Sequence, residues 1–312
     1  MKKDVYLLSG FLGSGKTTLL RNLISALKEN DLKPAVLMNE LGSVSIDSQE
    51  VEEGTPLKEL LDGCICCSIQ DKLESQLQEL LYQDDFDVLV IETTGAAHPV
   101  EVVDAVMSPL FADRFHFKGI ITVVDGKQWV SRGAYSPQVL QLMREQIRHA
   151  HLLIFNKEDL LSEMEKGTAL FEIQQINSDA KLIMTNYSRV SSSDLLNLEG
   201  KQVSGDREKS AIGHQLNLRA YVHRFTGSVS QTEFEEWMRK LPDTIYRMKG
   251  YLPFSGRRHP FMFQYSYGMP ILLPEDMNLP KNLVIIGEDL DEHKLKTELE
   301  ELERSERQSK KD

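Results

Sequence analysis

The chain has 312 residues, and its 36 basic and 48 acidic side chains give a net charge of −12. This acidic balance disfavours nucleic acids and anionic membrane surfaces as partners, because like charges repel. The apolar fraction of 41% and the charged fraction of 27% are those of globular domains. The sequence contains no run of about 18 apolar residues, so it predicts no membrane-spanning helix. The length favours two domains, since a single core seldom grows past about 250–300 residues.

Short apolar runs alternate with helix-length amphipathic segments from the N-terminus to residue 184. In one such segment, Leu73, Leu77 and Leu80 fall on a single helix face. This alternation predicts an α/β domain with a mostly parallel sheet and helices on both faces. The predicted strands are residues 5–8, 35–38, 88–91, 120–124, 152–155 and 182–184.

The composition changes near residue 190, which marks the end of a first domain at residues 1–190. Residues 191–214 are polar and rich in serine, lysine, aspartate and glycine, which predicts a linker. Residues 215–304 combine strand-spaced apolar residues with two helix patterns, so we expect a smaller α+β domain there. We expect residues 305–312 to form a flexible tail. The second domain is predicted to have strands near 216–225, 245–254, 260–267 and 283–286, and helices at 232–241 and 291–302.

Residues 10–17 read Gly-Phe-Leu-Gly-Ser-Gly-Lys-Thr, which is the pattern of a phosphate-binding loop. The glycines let backbone N–H groups surround phosphate oxygens, the lysine neutralises their charge, and the threonine hydroxyl binds Mg²⁺. A strand precedes the loop and a helix predicted at 17–27 follows it, and the N-terminus of that helix favours an anion. The pattern therefore predicts the P-loop NTPase fold. The residues expected to bind the nucleotide phosphates are Gly13, Ser14, Gly15, Lys16, Thr17 and Thr18.

Residues 156–159, Asn-Lys-Glu-Asp, directly follow the strand predicted at 152–155. A carboxylate at Asp159 can accept hydrogen bonds from both the N1–H and the 2-amino group of guanine, a donor pair that adenine lacks. Asn156 would bond the base edge and brace the loop, and the Lys157 stem would lie along the ring. By itself the tetrapeptide is also compatible with a surface turn. Because it lies after a strand and downstream of a phosphate loop, it predicts guanine specificity.

The strand predicted at 88–91 leads into Glu-Thr-Thr-Gly at residues 92–95. Glu92 is expected to reach Mg²⁺ through a water, because Mg²⁺ keeps several of its waters. The Gly95 N–H is placed to sense the γ-phosphate. The less favoured alternative is that Glu92 only caps the end of the strand. Together with Lys16 and Thr17, these two residues form the predicted catalytic set. Because no glutamine closely follows Gly95, we expect slow intrinsic GTP hydrolysis, completed by a metal, cofactor or partner.

All three cysteines of the chain lie together, at Cys64, Cys66 and Cys67. A closed structural zinc site needs four ligands, so a carboxylate, a histidine, water or another protein must supply the fourth. Glu40 is the first candidate, and an incompletely ligated site suits metal delivery better than permanent structure. Asp47, in the same loop, would bind Mg²⁺ or cap the loop. A nucleotide-sensing switch in this loop would move a metal ligand directly.

Three other interpretations of the cysteines stay open. In the first, the cysteines are small buried apolar residues. In the second, they are a redox pair with a spare thiol, and in the third, they bind metal without a role in transfer. Gly63 and Ser68 predict an exposed turn that leads into a helix at 69–82, which argues against burial. An odd number of clustered cysteines is a poor disulfide framework, and no apolar leader precedes the first strand. We therefore expect a cytoplasmic protein.

The remaining polar candidates are weaker. The eight histidines are scattered, and His149 and His151 do not have the i,i+4 spacing of a helical ligand pair. Each histidine is therefore expected as a surface or core residue rather than as a ligand. Residues 298–307 form a charge run, whose simplest interpretation is a solvated helix face.

Together these motifs resemble the CobW-type metallochaperone GTPases, a branch of the P-loop GTPases related to the hydrogenase and urease nickel-insertion proteins. The resemblance covers nearly the whole chain, and the combination of Cys-x-Cys-Cys with Glu-Thr-Thr-Gly is highly specific. The segments that carry the resemblance are residues 8–20, 39–42, 63–67, 91–95, 123–125 and 156–159, with 246–250 and 284–287 in the second domain.

The resemblance implies GTP-dependent binding and transfer of a metal, most often zinc and in some branches cobalt, to a client metalloprotein. By position, Cys64, Cys66 and Cys67 match the metal cysteines of the family. Residues 13–18 match its phosphate-binding residues, and residues 156, 157 and 159 match its guanine-binding residues. The identity of the client and association into a homodimer are left open.

Two other functions remain as alternatives. A P-loop kinase acting on a small molecule would use the cysteines structurally or for redox chemistry, although residues 156–159 argue against it. Transfer of label from GTP to an acceptor, with no effect of metal on turnover, would favour this kinase. A GTP-dependent metal-sensing regulator would bind a partner and transfer nothing. Nucleotide-dependent capture of a protein that needs no metal for its activity would favour this regulator.

Overall fold

The computed structural model of the chain describes residues 2–38, 57–59, 69–83, 85–198 and 218–309. The chain divides into two compact units, each with its own sheet. The first unit comprises Met1–Ala105 and His116–Asn217, and the second comprises Val106–Phe115 and Leu218–Asp312. Among the residues described, no helix has both the length and the apolar character needed to cross a bilayer.

Strands and helices follow one another along most of the described part of the first unit. Strands β1–β7 are Lys3–Ser9, Pro34–Met38, Leu57–Glu59, Val88–Glu92, Phe115–Asp125, Leu152–Asn156 and Lys181–Thr185. They form one sheet in the order β3-β2-β4-β1-β5-β6-β7. Parallel pairing joins β2 to β3 and β4, β1 to β4, and β6 to β5 and β7. Every residue of β2, β4 and β6 is buried, as expected of strands covered on both faces.

Helices cover both faces of this sheet. Helices α1–α7 are Lys16–Glu29, Ile69–Gln83, Pro99–Val106, Gly126–Val130, Pro137–Arg148, Glu163–Ile176 and Ser192–Leu196. Successive strand residues point to opposite faces, so Val123 joins the core that contains Leu23 of α1. Its neighbour Val124 joins the core that contains Ile147 of α5 and Ile173 of α6. The predicted α/β architecture is confirmed.

The second unit is a separate α+β structure, as predicted. Strands β8–β12 are Leu218–Arg224, Ile245–Leu252, Phe261–Ser266, Met269–Pro274 and Asn282–Glu288, and helices α8 and α9 are Gln231–Met238 and Glu292–Ser309. The strands form an antiparallel sheet in the order β11-β10-β9-β12-β8. Phe234 and Trp237 of α8 and Leu295 and Leu299 of α9 belong to the same buried core as the strands.

The second unit also includes a segment that lies between α3 and β5 in the sequence. Asn282 Nδ2 donates to the Pro109 carbonyl oxygen at 2.7 Å, and Arg224 Nη2 lies 2.6 Å from Asp113 Oδ2. The unit is therefore discontinuous in sequence, whereas the predicted second domain begins at residue 215. In addition, α7 falls within the predicted linker, and α9 extends to Ser309 within the predicted tail.

Strand β11 is an element that the sequence analysis did not predict. Pro270 and Pro274 interrupt its apolar pattern, and proline cannot donate a hydrogen bond to a neighbouring strand. It is tolerated here because β11 lies at the edge of the sheet. Met269, Ile271 and Leu273 of this strand are 69%, 51% and 49% exposed, so the strand lacks the buried face that periodicity would detect.

His223 of β8 is buried, and its Nε2 lies 3.2 Å from Glu303 Oε1 of α9. Burial lowers the pKa of His223 below its usual value, even though Glu303 and Glu300 act to raise it, while Lys296 lowers it further. The folded unit therefore favours the neutral imidazole, whereas the unfolded chain titrates near about 6.5. The resulting stabilisation is complete above about pH 6.5 and is lost as the pH falls through the folded pKa.

We predict that the second unit loses stability as the pH falls below about 6.5, by up to ~1.4 kcal/mol per pH unit. His223→Gln should flatten this dependence, because glutamine keeps a donor for Glu303 but does not titrate. The chain has two tryptophans, so Trp237 fluorescence in a Trp129→Phe background reports denaturant unfolding of this unit. His293→Gln, in an exposed position of α9, is the matched control. The same pH dependence with and without His223 would contradict the prediction.

Candidate functional site

The phosphate loop connects β1 to α1 and turns through three glycines. Gly10, Gly13 and Gly15 have φ angles of 136°, 75° and 109°, a region that other residues rarely adopt. A Cβ at Gly10 would lie 2.3 Å from the Val123 carbonyl oxygen, and a Cβ at Gly15 would lie 2.5 Å from Asn156 Nδ2. Gly15 is also the N-cap of α1 and brings no side chain to the helix N-terminus. The first-turn N–H groups are thus available to an anion.

The predicted lysine and magnesium residues lie around this loop. Lys16 is buried, and its ammonium donates to the Phe11 carbonyl oxygen at 3.2 Å. Thr17 Oγ1 donates to Glu92 Oε1 at 3.0 Å, because α1 begins beside the end of β4. Thr18 follows in the first turn of α1 and is half-buried. Thus a hydroxyl and a carboxylate, both oxygen donors of the kind that Mg²⁺ prefers, are brought together.

Gly95 lies against the backbone of the phosphate loop. A Cβ on Gly95 would lie 2.5 Å from the Leu12 nitrogen and 2.9 Å from the Leu12 Cα. Thr93, two residues earlier, donates from both its N–H and its hydroxyl to the Leu8 carbonyl oxygen at 3.0 Å. On the other side, Gln146 Nε2 of α5 donates to the carbonyl oxygens of Gly95 and Ala97 at 3.1 and 3.3 Å. The segment after β4 is therefore held between the phosphate loop and α5.

Asn156 joins the predicted base-binding residues to the phosphate loop. It is buried at the end of β6, and its Nδ2 donates to the Ser14 carbonyl oxygen at 2.9 Å. Its Oδ1 accepts from the Ser188 N–H at 2.9 Å. The bracing contact expected of Asn156 is thus present, and the described bonds of its side chain go to the backbone of two loops. Asp159 lies in a 3₁₀ turn, Glu158–Leu160, with an exposed side chain.

Lys157 makes a second connection to the phosphate loop. It adopts a left-handed conformation with φ of 60°, and its ammonium donates to the Gly13 carbonyl oxygen and to Asp125 Oδ2, both at 2.7 Å. Asp125 is nearly fully buried, and its other oxygen accepts from the Gln128 N–H and caps α4. Gln128 Nε2 in turn donates to the Leu12 carbonyl oxygen at 2.9 Å. The Lys157 stem thus crosses from the phosphate loop to the end of β5.

The predicted zinc ligands and the predicted magnesium ligand Asp47 lie outside the described part of the chain. Cys64, Cys66, Cys67, Glu40 and Asp47 all fall within residues 39–56 and 60–68. The described strand residues that precede these two segments are Met38 and Glu59. Met38 is paired with Glu59 of β3 on one side and with Glu92 of β4 on the other. The three parallel strands β2, β3 and β4 therefore end level with one another, at the carboxyl ends of the strands.

Comparison with known families agrees with this arrangement. The profile of the CobW/HypB/UreG nucleotide-binding domain matches residues 4–184, which is more than half of the chain. The chain belongs to the CobW/HypB/UreG family. A second profile, that of the C-terminal domain of the cobalamin synthesis protein cobW, matches residues 218–303, within the second unit.

Curated and solved relatives of this family member cover both of its units. The zinc chaperone YjiA of Escherichia coli is 30% identical over 317 residues, which cover 94% of this chain and 96% of that protein. The zinc-regulated GTPase metalloprotein activator 1 of Schizosaccharomyces pombe is 36% identical over 210 residues, which cover 62% of this chain and 49% of that protein. The crystal structure of Zn(II)-bound YjiA GTPase from E. coli aligns over 97% of this chain and 99% of that chain, with a TM-score of 0.50 and 24% identity. This likeness shows a shared fold.

The loop after β7 contacts the phosphate loop, α1 and the predicted base-binding segment, and no motif in the sequence predicts these contacts. Ser188 Oγ donates to the Gly15 carbonyl oxygen at 3.1 Å, and Asn22 of α1 donates to the Ser188 carbonyl oxygen at 2.7 Å. Asn186 Oδ1 accepts from the Asp159 N–H at 3.1 Å. The sequence could have indicated this loop only through its position directly after a predicted strand, because ligands of open α/β sheets bind outside the carboxyl ends of the strands.

We predict that Gly95→Ala weakens binding of a GTP analogue by about tenfold or more, because the new methyl group must displace the backbone of Leu12. Overpacking of this kind costs typically ~1–3 kcal/mol. Titration of a fluorescent GTP analogue measures the effect. Gly133→Ala is the matched control, since apart from its own chain neighbours no atom of the described residues lies within 4 Å of the new Cβ. Equal affinity of Gly95→Ala and the unsubstituted chain would show that the phosphate loop does not depend on this approach.

Proposed function

We propose that this chain is a GTP-hydrolysing metallochaperone that binds Zn²⁺ through Cys64, Cys66 and Cys67 and passes it to a client metalloprotein. The observation that carries the proposal is the pair of bonds from Asn156 to Ser14 and from Lys157 to Gly13. They unite a phosphate loop and an Asn-Lys-x-Asp segment in one site, in a chain whose two units both match CobW profiles.

In this proposal the phosphate loop and the first turn of α1 bind the triphosphate. Backbone N–H groups at residues 13–18 and the ammonium of Lys16 surround its oxygens. The Lys16 ammonium donates to the Phe11 carbonyl oxygen of the same loop at 3.2 Å, so it already points into the loop that would hold the phosphates. Gly95 is the proposed sensor of the γ-phosphate, since its backbone lies against Leu12 of the same loop.

The residues around Thr17 fit a magnesium ion. Thr17 Oγ1 and Glu92 Oε1 lie 3.0 Å apart, and oxygen donors are the ligands that Mg²⁺ prefers. Asp47 is a further proposed ligand from the segment outside the described residues. Mg²⁺ neutralises charge on the β- and γ-phosphate oxygens when it is bound. Gln146 Nε2, beside Gly95, donates to the Gly95 and Ala97 carbonyl oxygens. Slow intrinsic hydrolysis stays a prediction, because no glutamine closely follows Gly95.

Zinc is the proposed cargo rather than a permanent part of the protein. Two of the relatives described above are named for zinc, and three clustered thiolates suit this ion. Glu40 is the proposed fourth ligand, and Co²⁺ is the alternative cargo, because thiolate sites bind several divalent metals and geometry decides among them.

The described strand ends support a link between the two metals. Met38 and Glu59 lie level with Glu92 at the carboxyl ends of their strands. The segment that holds Glu40 follows Met38 in sequence, and the segment that holds the cysteines follows Glu59. We propose that GTP orders the loop with Glu40 and that hydrolysis changes its position, which releases the zinc. The second unit is the proposed site of client recognition.

Guanine selection gives a first test. Asp159→Asn should weaken GTP binding by at least about tenfold, because the two hydrogen bonds from guanine lose their charged acceptor, each worth ~1.5–3 kcal/mol. The same variant should gain affinity for xanthosine triphosphate, whose 2-oxo group accepts from the asparagine amide. Competition binding with both nucleotides measures the change. Glu158→Gln, the adjacent acid, is the control. Unchanged preference for GTP in Asp159→Asn would exclude this residue as the base reader.

Coupling between nucleotide and zinc gives the second test. A Zn²⁺ competition titration should find one site that is at least about tenfold tighter with a non-hydrolysable GTP analogue than with GDP, a coupling of ~1.4 kcal/mol. Cys66→Ser/Cys67→Ser should abolish this site and leave nucleotide binding intact. Equal zinc affinity with GTP analogue, with GDP and without nucleotide would reject the transfer mechanism and favour the kinase or the regulator.

A further inference from the structure

Three potential metal ligands converge between α3 and α5 in the first unit. His98 immediately precedes α3, Glu145 lies in the last turn of α5, and His149 is the C-cap of that helix. One ligand atom from each residue lies within 4.8 Å of the other two. Glu145 Oε2 and His149 Nε2 are 3.2 Å apart, since residues i and i+4 share a helix face.

The surrounding structure fixes the backbone on both sides of this group. Asn177 Nδ2 donates to the carbonyl oxygens of Ile147, Arg148 and Ala150, each at 2.9 Å, and so holds the chain around His149. The His98 carbonyl oxygen accepts from the N–H groups at the start of α3. Gln146 joins α5 to the segment that carries His98, because it donates to the Gly95 and Ala97 carbonyl oxygens. The ligands thus stand on two connected elements.

We propose that His98, Glu145 and His149 form a second site for a divalent transition metal, of which zinc is the best match. Two imidazoles and one carboxylate are a common zinc donor set that leaves the fourth position open. Ligand atoms on a tetrahedral zinc lie roughly 3.3 Å apart, so the Glu145–His149 distance already fits. The His98 ligand atom lies within 4.8 Å of the other two, so it has to approach by no more than about 1.5 Å. The site shares no residue with the proposed cargo site and does not depend on it.

The simpler interpretation of this group is an ion pair on one helix. Glu145 Oε1 also lies 3.7 Å from Arg148 Nη1, so the carboxylate has a cationic neighbour without any metal. That interpretation involves Glu145 and His149 alone. His98 comes from a different element, its ring centroid lies 6.0 Å from that of His149, and its ligand atom lies within 4.8 Å of the other two. His116 and Asp4 form such a pair at 2.9 Å elsewhere in the unit, on the exposed surface. The third ligand distinguishes the proposed site from it.

Zinc binding to a cysteine-free form of the full chain tests the proposal. In a Cys64→Ser/Cys66→Ser/Cys67→Ser background, we expect one equivalent of Zn²⁺ by competition with a chromophoric chelator. Added Co²⁺ should give d–d bands without thiolate charge transfer. His98→Asn and His149→Asn should each weaken zinc binding by at least about tenfold, since even partners outside the ligand sphere account for ~10–100-fold. His116→Asn, which removes the other histidine of a histidine–carboxylate pair, should leave it unchanged.

Two results would overturn the proposal. One is a folded serine background that binds no Zn²⁺ equivalent, and the other is the same affinity in His98→Asn as in that background. His149 is 3% exposed, so circular dichroism must show that the His149→Asn variant folds. If that variant does not fold, the test rests on His98→Asn, because His98 is only half-buried. Should the serine background fail to fold, the comparison is made on the native chain, whose zinc stoichiometry must fall by one equivalent in His98→Asn. Loss of the cysteine site alone leaves this result unaffected, so the two proposals fail separately.

Discussion

The side-chain amide of Asn156 holds the two halves of the nucleotide site at a fixed distance. It donates to the phosphate loop at Ser14 and accepts from the loop after β7 at Ser188, both at 2.9 Å. Because Asn156 is 2% exposed, removal of either bond leaves a buried polar group unsatisfied, at a cost of about 1–3 kcal/mol. Among the side chains, only that of asparagine is both short enough to fit here and able to offer an amide donor to one loop and a carbonyl acceptor to the other. In the proposed nucleotide site, this side chain therefore ties the phosphate loop to the loop after β7 before any nucleotide binds.

Charge reinforces the same arrangement. The ammonium of Lys157 lies between the Gly13 carbonyl oxygen and the buried carboxylate of Asp125. A buried carboxylate is costly unless it is paired and hydrogen-bonded, and Asp125 has both Lys157 and the Gln128 N–H as partners. The lysine that is expected to lie along the base thus also neutralises the end of β5. Substitution of Lys157 would disturb α4 as well as the nucleotide, because Asp125 is the cap of that helix.

Features that depend on local sequence were predictable, and features that depend on contacts between distant segments were not. The phosphate loop and the buried strands follow from glycine spacing and short apolar runs, since these patterns reflect backbone conformation and burial. The contribution of Ser188 arises from contacts with Asn156 and Gly15, which no spacing reveals. The association of Val106–Phe115 with the second unit is equally invisible, because the segment is short and its partners lie far away in sequence. The histidines gave no i,i+4 pair with one another; the pairing that structure reveals is with a carboxylate.

Gln146 gives helix α5 a direct hydrogen-bonded contact with the turn after β4. Its side-chain NH₂ group donates to the backbone carbonyl oxygens of Gly95 and Ala97. The backbone carbonyl oxygen of Gln146 accepts from the Thr122 hydroxyl of β5. A peptide rotation at Gly95 would break one of these bonds, and a buried amide left with an unsatisfied proton would have to find a new acceptor. A change in the orientation of this one peptide group would therefore alter the hydrogen bonding of Gln146. Such a change would act on α5, the helix that carries Glu145 and precedes His149.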